Sequence, residues 1–150
     1  MQEFFKWLSQ GRMHVYFHNL KFDGTFILDA LFRADYYPTS ERNPEPGEFF
    51  CLISNMGVHY SYTICFKNGR KVELRDSLKK LPMPVASIAD AFGLEESKGD
   101  IDYHARRDRG YQPTAAEWDY IRRDVQIVAY ALAQEFAAGM TKLTVGADSL

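Results

Sequence analysis

The sequence predicts an α/β fold, and three features support this. A short apolar strand over His14–His18 ends in polar residues, and a carboxylate follows at Asp23 beside Gly24. Three more strand-like runs come later, separated by turns, and a long amphipathic helix lies near the end of the chain. An apolar strand that delivers polar side chains at its C-terminal end commonly presents metal ligands in α/β proteins.

The first elements follow from apolar spacing. Gln2–Gln10 has the pattern of a short amphipathic helix, and Gly11 is a suitable helix stop. After the strand, helical spacing returns over Gly24–Ala34. The apolar residues of this second helix are Phe26, Ile27, Leu31 and Phe32.

The middle of the chain predicts an antiparallel three-stranded meander. Thr39–Gly47 is rich in Pro, Glu, Asn and Gly, which predicts a loop. Asn55–Gly57 and Lys67–Gly69 are the predicted hairpin turns, because Asn-Gly is a strong hairpin signal. The three predicted strands are Phe49–Ile53, Val58–Phe66 and Arg70–Asp76.

The C-terminal half predicts helices around a polar segment. Short helices open at Ser77 or Pro84, and Val85–Phe92 is helical. Glu95–Pro113 is polar, charged and irregular, a pattern typical of a functional or disordered loop. Thr114 begins a capping box for the last helix, which runs to about Ala138.

Helical geometry separates two sets of residues on this last helix. At about 100° per residue, six apolar residues form one stripe, whereas Tyr120 and Asp124 lie beside it. This position predicts that the pair sits at the edge of the core, where a cleft would be. The stripe comprises Trp118, Ile121, Val125, Val128, Leu132 and Phe136.

Composition restricts the classes of function. The 150 residues suit one domain, and 46% hydrophobic with 15% aromatic content favours a packed core. The formal charge is −2, so nucleic-acid binding would need local basic patches. No apolar run approaches the length of about 20 residues that spans a bilayer, and no signal-peptide pattern is present, so a cytoplasmic protein is expected. The candidate basic patches are Lys67–Lys71, Lys79–Lys80, Arg106–Arg109 and Arg122–Arg123.

Four short motifs resemble one known family over residues 1–150. Asn19–Asp23 is similar to the second exonuclease motif of protein-primed family B DNA polymerases, and Tyr120-x-x-x-Asp124 is similar to the third. Asp76–Pro82 and Lys98–His104 also resemble that family, in the same order. The resemblance is to the 3′→5′ exonuclease domain of the phage and linear-plasmid enzymes. It implies a ribonuclease H-like α/β fold.

The resemblance implies a two-metal hydrolytic site. Asp23 and Asp124 would be metal ligands, for Mg²⁺ or Mn²⁺, because these hard cations prefer carboxylate oxygens. Two such ions about 4 Å apart activate water and stabilise the leaving oxygen of a phosphodiester. Tyr120 would orient the attacking water, and Lys98 would stabilise developing negative charge.

The resemblance also implies partners. A single-stranded 3′ DNA end would lie on the site, and a polymerase domain and a priming terminal protein would accompany it in a phage or plasmid replicon of a bacterial cell. The residues implied in DNA contact are His18, Asn19, Phe22, Ser77, Leu78 and Tyr103.

The family's first motif, an Asp-x-Glu strand, does not occur before residue 19. Residues 1–140 are therefore expected to form a partial exonuclease domain, truncated at its N-terminus, with 141–150 as a linker toward an absent polymerase domain. Two of the four expected ligands would be missing, so weak metal binding and an inactive chain are expected. The unpaired edge near Val15–Phe17 predicts a homodimer, or coverage by the Gln2–Gln10 helix.

Two other interpretations stay open. The chain could be a non-catalytic remnant that binds single-stranded DNA or another protein. It could also be a different nuclease of the same fold, with Asp76, Asp100 or Asp102 as replacement ligands.

Overall fold

The structure is a computed structural model that describes residues 1–11, 13–94, 102, 104–108 and 110–149. Its contacts divide the chain into two compact units. The first comprises Met1–Lys80 together with the residues from Leu143 onward, and the second comprises Leu81–Lys142. The first unit contains a five-stranded sheet, and the described part of the second contains two helices. The predicted α/β fold class is confirmed.

The sheet of the first unit combines a meander with two parallel pairings. Its five strands are β1 (Met13–Phe17), β2 (Tyr37–Pro38), β3 (Glu48–Ile53), β4 (His59–Cys65) and β5 (Lys71–Asp76). The strand order is β1-β5-β4-β3-β2. The β3–β4 and β4–β5 pairs are antiparallel, as the turn signals predicted, whereas β1 pairs with β5 in parallel and lies at an edge.

Two helices contribute to one core with this sheet. They are α1 (Gln2–Leu8) and α2 (Leu20–Arg33). Val72 and Leu74 of β5 alternate with polar residues, as expected for a strand with one buried face. The buried apolar cluster comprises Leu8, Leu20, Ile27, Leu31, Tyr36, Phe49, Tyr62, Ile64, Phe66, Val72 and Leu74.

Helix α2 begins at Leu20, one turn before the predicted start at Gly24. Asn19 is the residue before its first turn and has a left-handed backbone, with φ 76° and ψ 60°. This sharp turn lets the helix follow β1 almost at once. Asp23 therefore lies in the first helical turn and not in a loop after the strand.

Gly24 lies where α2 approaches the sheet most closely. A Cβ atom at this position would stand 2.4 Å from the Tyr62 hydroxyl oxygen and 2.6 Å from Cε2 of the same ring. Tyr62 is fully buried, and its hydroxyl lies 2.5 Å from Nδ1 of His59. Burial raises the pKa of Tyr62 to about 12, so the phenol stays neutral and can hydrogen bond. Only glycine fits beside this ring.

The second unit contains helices α3 (Val85–Ala91) and α4 (Ala115–Ala137), which contact each other. The predicted capping box of α4 is confirmed: Thr114 and Glu117 each bind the other's backbone N–H with a side-chain oxygen. No helix among the described residues is long and apolar enough to cross a membrane.

The predicted burial of the apolar stripe of α4 is wrong for the first half of the helix, whereas Leu132 in the second half is buried. Trp118, Ile121 and Val125 of the apolar stripe are exposed, by 52%, 41% and 62%. The buried residues of the helix are Tyr120, Ile127, Ala131 and Leu132. Periodicity locates an apolar stripe, but it does not say which face the fold covers. Tyr120 thus lies within the covered face and not beside it.

The segment predicted as a linker has structure of its own. It contains α5 (Val145–Asp148), which Thr144 caps by accepting the N–H of Ala147. Asp148 forms an ion pair with Lys80 at 2.5 Å, and both side chains are almost completely buried. Since a buried pair is costly to break, this contact ties the segment to the first unit.

Replacing Gly24 by alanine is expected to destabilise the fold by about 1–3 kcal/mol, because the new methyl group must displace the buried Tyr62 ring. Urea unfolding of the variant measures this loss. Tyr62→Leu in the same chain should recover part of it by vacating space. Gly146→Ala is the matched control, because a Cβ there meets nothing within 4 Å. Equal stability of Gly24→Ala and wild type would contradict the close contact.

Candidate nucleic-acid and metal site

The turn after β1 carries two of the predicted DNA-contacting residues, His18 and Asn19. The Asn19 side chain is exposed and makes no capping hydrogen bond to α2. Its backbone N–H donates instead to Oδ1 of Asp76, at 3.0 Å. The carboxylate of a neighbouring strand therefore holds the turn, while the Asn19 side chain stays exposed.

A second turn lies beside the first because β1 and β5 are parallel and both end here. Ser77–Lys79 forms a short 3-10 turn, and Asp76 caps it by accepting the N–H of Leu78 at 3.0 Å. Ser77 is fully buried. Its hydroxyl donates to the carbonyl of Phe17 and lies 3.1 Å from His18 Nδ1.

These contacts determine the tautomer of His18. A serine hydroxyl has one proton, and the Ser77 proton goes to the Phe17 carbonyl. The hydroxyl must then accept from His18, so Nδ1 carries a proton in this arrangement. Ser77 thus links the two turns internally. The exposed groups nearby, such as the Asn19 amide, are better placed to meet a ligand.

Phe22 is an exposed aromatic residue and not part of the core. It is 69% exposed on α2, and Phe26 one turn later is 60% exposed. Their ring centroids lie 6.1 Å apart in an edge-to-face arrangement. Exposed rings of this kind offer flat apolar faces on which nucleic-acid bases can stack.

Asp23 is a partly buried carboxylate in the first turn of α2. Burial raises its pKa above the ordinary value of 3.8, and a backbone hydrogen bond opposes this shift. A raised carboxyl pKa means that the fold disfavours the ionised form. A nearby cation would favour the ionised form and lower the pKa again. Perturbed carboxyl pKa values are common at ligand-binding sites.

The second unit presents Tyr120 and Asp124 on the covered face of α4. Tyr120 is 8% exposed. Oδ1 of Asp124 is buried and has no hydrogen-bond partner among the described residues. A buried carboxylate oxygen without a partner is rare and costs about 1–3 kcal/mol. Its arrangement suits an oxygen that binds a cation.

The carboxylates fit a divalent cation only in part. The orphaned oxygen of Asp124 and the raised pKa of Asp23 are both properties of metal ligands. Within the described ranges, however, no group of three or more His, Cys, Asp or Glu side chains could hold a metal ion. Lys98 and Tyr103, the other predicted site residues, lie outside the described residues, as does Asp100.

Several basic residues of the predicted patches form ion pairs within the protein. Lys79 pairs with Oδ2 of Asp76 at 3.3 Å, and Lys80 is buried against Asp148. Arg107 binds Glu117, whose pKa falls to about 2 because of hydrogen bonds from Tyr111, the Thr114 backbone and Arg107. The predicted Lys79–Lys80 patch therefore stabilises structure, and Lys79 alone keeps partial exposure, with 22% of its side chain accessible.

Comparison with known proteins identifies the family. The profile of the family described as DNA polymerase type B, organellar and viral, matches residues 8–114. The DNA polymerase of Bacillus phage B103 is 44% identical over 154 residues, which cover 100% of this chain. The chain belongs to the organellar and viral type B DNA polymerases. The DNA polymerase of Streptococcus phage Cp-1 is a more distant relative, 33% identical over 91% of the chain.

Solved structures of a type B polymerase have the same fold. The phi29 DNA polymerase complexed with primer-template DNA and incoming nucleotide aligns over 100% of this chain, with a TM-score of 0.88 and 43% identity. The phi29 DNA polymerase complexed with single-stranded DNA aligns over 99%, with a TM-score of 0.89. The chain spans 27% of each of these polymerase chains and 27% of the phage B103 polymerase.

Three features of the site were not visible in the sequence. The double role of Asp76 as acceptor for Asn19 and Leu78 depends on strand pairing across more than 50 residues. The close approach at Gly24 depends on a ring from another strand. The burial of Ser77 follows from the same pairing, although its place in the Asp76–Pro82 motif was a signal that the turn matters.

Asp23→Asn is expected to stabilise the fold at neutral pH. The folded-state pKa lies above 3.8, so folding favours the protonated carboxyl. The unfavourable contribution of Asp23 is absent in acid and grows as the pH rises from 3.8 through the folded-state pKa. Thermal unfolding across this range should show a melting-temperature gain for the variant at pH 7 that disappears in acid. A gain independent of pH would contradict the burial effect.

Proposed function

We propose that this chain is part of the 3′→5′ proofreading exonuclease domain of a phage-type DNA polymerase, and that it binds single-stranded 3′ DNA ends. The observation that carries the proposal is the pairing of two turns at one end of β1 and β5, where His18, Asn19 and Leu78 come together. Type B membership and the similarity to phi29 polymerase complexes that contain DNA support it.

Both base stacking and polar contacts would contribute to DNA binding. Phe22 and Phe26 expose apolar rings on α2, directly after the Asn19 turn. Asn19 offers an exposed amide, and the ordered backbone of the Leu78 turn lies beside it. With a net charge of −2, the chain carries no overall positive charge to attract a phosphate backbone. Base stacking would therefore contribute more to affinity than phosphate attraction.

Asp23 and Asp124 are the residues that would hold divalent cations, with Mg²⁺ or Mn²⁺ as the natural choices. Bound metal would supply an activated water and charge neutralisation at the leaving oxygen. Tyr120 would orient the attacking water, and Lys98 would stabilise negative charge. Two carboxylates are too few to hold a metal pair firmly, so the 150 residues by themselves should bind metal weakly.

The binding half of the proposal is tested with a 3′-single-stranded oligonucleotide labelled with fluorescein, in EDTA. Anisotropy should show binding, and Phe22→Ala should weaken it by about 1–3 kcal/mol, or about fivefold to 150-fold in Kd. Tyr37→Ala is the control, since Tyr37 is also a highly exposed aromatic, at 66%, but lies on β2. No binding by the wild-type chain would refute the proposal.

The catalytic half is tested by degradation of the same oligonucleotide with Mg²⁺ or Mn²⁺. The 150 residues alone are expected to give little or no product. A peptide strand carrying Asp-x-Glu, supplied in trans, should restore metal-dependent trimming from the 3′ end, and Asp23→Ala should abolish it. Restored activity that survives Asp23→Ala would exclude Asp23 as a ligand. DNA binding without restoration would favour a non-catalytic binding module.

Other partners follow from the same proposal. A polymerase domain and a priming terminal protein would act with the exonuclease domain in the whole enzyme. Strand β1 has one neighbour, β5, among the described strands, which leaves an edge for another strand. A homodimer through this edge stays a prediction, and light scattering at increasing concentration checks it.

A further inference from the structure

One carboxylate connects both turns of the proposed DNA site. Oδ1 of Asp76 accepts the backbone N–H of Asn19 and the backbone N–H of Leu78, each at 3.0 Å. Asp76 is 1% exposed and is the last residue of β5. A single buried oxygen atom therefore sets the separation between two segments that come from different strands.

The surroundings of Asp76 suit this role. Its second oxygen pairs with Lys79 Nζ at 3.3 Å, so both oxygens have protein partners. Hydrogen bonds from N–H groups to an ionised carboxylate are stronger and shorter than neutral ones. In contrast, Oδ1 of Asp124 has no hydrogen-bond partner in the described part of the chain.

The backbone at Asn19 makes a sharp turn. Its φ of 76° lies in the left-handed region, which asparagine adopts more readily than most residues other than glycine. The bond from its N–H to Asp76 joins this turn to the end of β5. The Ser77 hydroxyl adds a second link between the same turns, because it contacts both the Phe17 carbonyl and the His18 ring.

We propose that Asp76 is a positioning residue of the DNA site: its Oδ1 atom fixes the distance between the Asn19 and Leu78 turns, and so the geometry that grips a 3′ strand end. This inference rests on the proposed function. It assigns to Asp76 a structural task in DNA binding, with no direct contact to DNA or metal.

Three variants separate oxygen position from charge. Asp76→Asn keeps a carbonyl oxygen near Oδ1 and removes the charge, whereas Asp76→Glu keeps the charge and displaces the oxygen by one methylene. Asp76→Ala removes both. Binding of the fluorescein-labelled oligonucleotide is measured by anisotropy in EDTA. The Kd of Asp76→Asn should stay within about threefold of wild type, whereas the Kd of Asp76→Glu and of Asp76→Ala should rise by about tenfold or more.

A stability control accompanies these variants. Leu74→Ala removes a fully buried side chain from the same strand, so its melting temperature should fall. Below that temperature it should bind DNA like wild type. Amide NMR signals of Asn19 and Leu78 should move in Asp76→Glu and stay in place in Leu74→Ala.

The possible outcomes are distinguishable. The inference would be overturned if Asp76→Glu bound the oligonucleotide with wild-type affinity, or if Asp76→Asn bound it more weakly than Asp76→Glu. Either result would leave the proposed function intact. Loss of affinity in Leu74→Ala in proportion to lost stability would also overturn the inference. Failure of the wild-type chain to bind the oligonucleotide would overturn both the proposed function and the inference about Asp76. If Asp76→Ala does not fold, the Asn and Glu pair still decides the question.

Discussion

The parallel pairing of β1 with β5 is the constraint on which the site depends. Phe17 and Asp76 are register partners, so both strands end at the same edge of the sheet. Parallel neighbours present their carboxyl ends together, which is why ligands of α/β proteins gather there. Without this pairing, the turn at Asn19 and the turn at Leu78 would have no shared acceptor. The antiparallel meander of β3, β4 and β5 brings the chain back so that β5 runs parallel to β1.

Buried polar groups in this protein fall into two kinds. Asp76 and Ser77 are buried with their hydrogen bonds satisfied, and such groups specify one arrangement of the turns. The carboxylates of Asp23 and Asp124 are buried at a cost in free energy. Burial raises the pKa of Asp23, and Oδ1 of Asp124 is buried without a hydrogen-bond partner among the described residues. Proteins tolerate such costs mainly where function requires them.

Helix α4 shows the same conflict between stability and function. A helix placed only for stability would cover its apolar stripe, yet Trp118, Ile121 and Val125 are exposed. The covered face carries Tyr120 and the carboxylate of Asp124 instead. The fold thus covers these polar groups together with apolar residues of the second half of the helix, and it leaves the apolar residues of the first half exposed for further contacts.

Local signals in the sequence determined much of the architecture. Alternation and Asn-Gly turns predicted the meander, the Thr114–Glu117 spacing predicted the start of α4, and short motifs indicated the polymerase family. These features depend on residues close together in the chain, so they can be read without a structure. The start of α2 was missed by one turn, because the left-handed residue Asn19 is held by a distant carboxylate.

Only the tertiary structure decided which groups are buried and which are paired. The acceptor role of Asp76, the glycine-only contact between Gly24 and Tyr62, and the covered face of α4 all involve partners far away in sequence. Periodicity places a residue on a face, but packing selects the face that is covered. Long-range strand pairing and burial are set by the whole chain at once, and no local pattern records them.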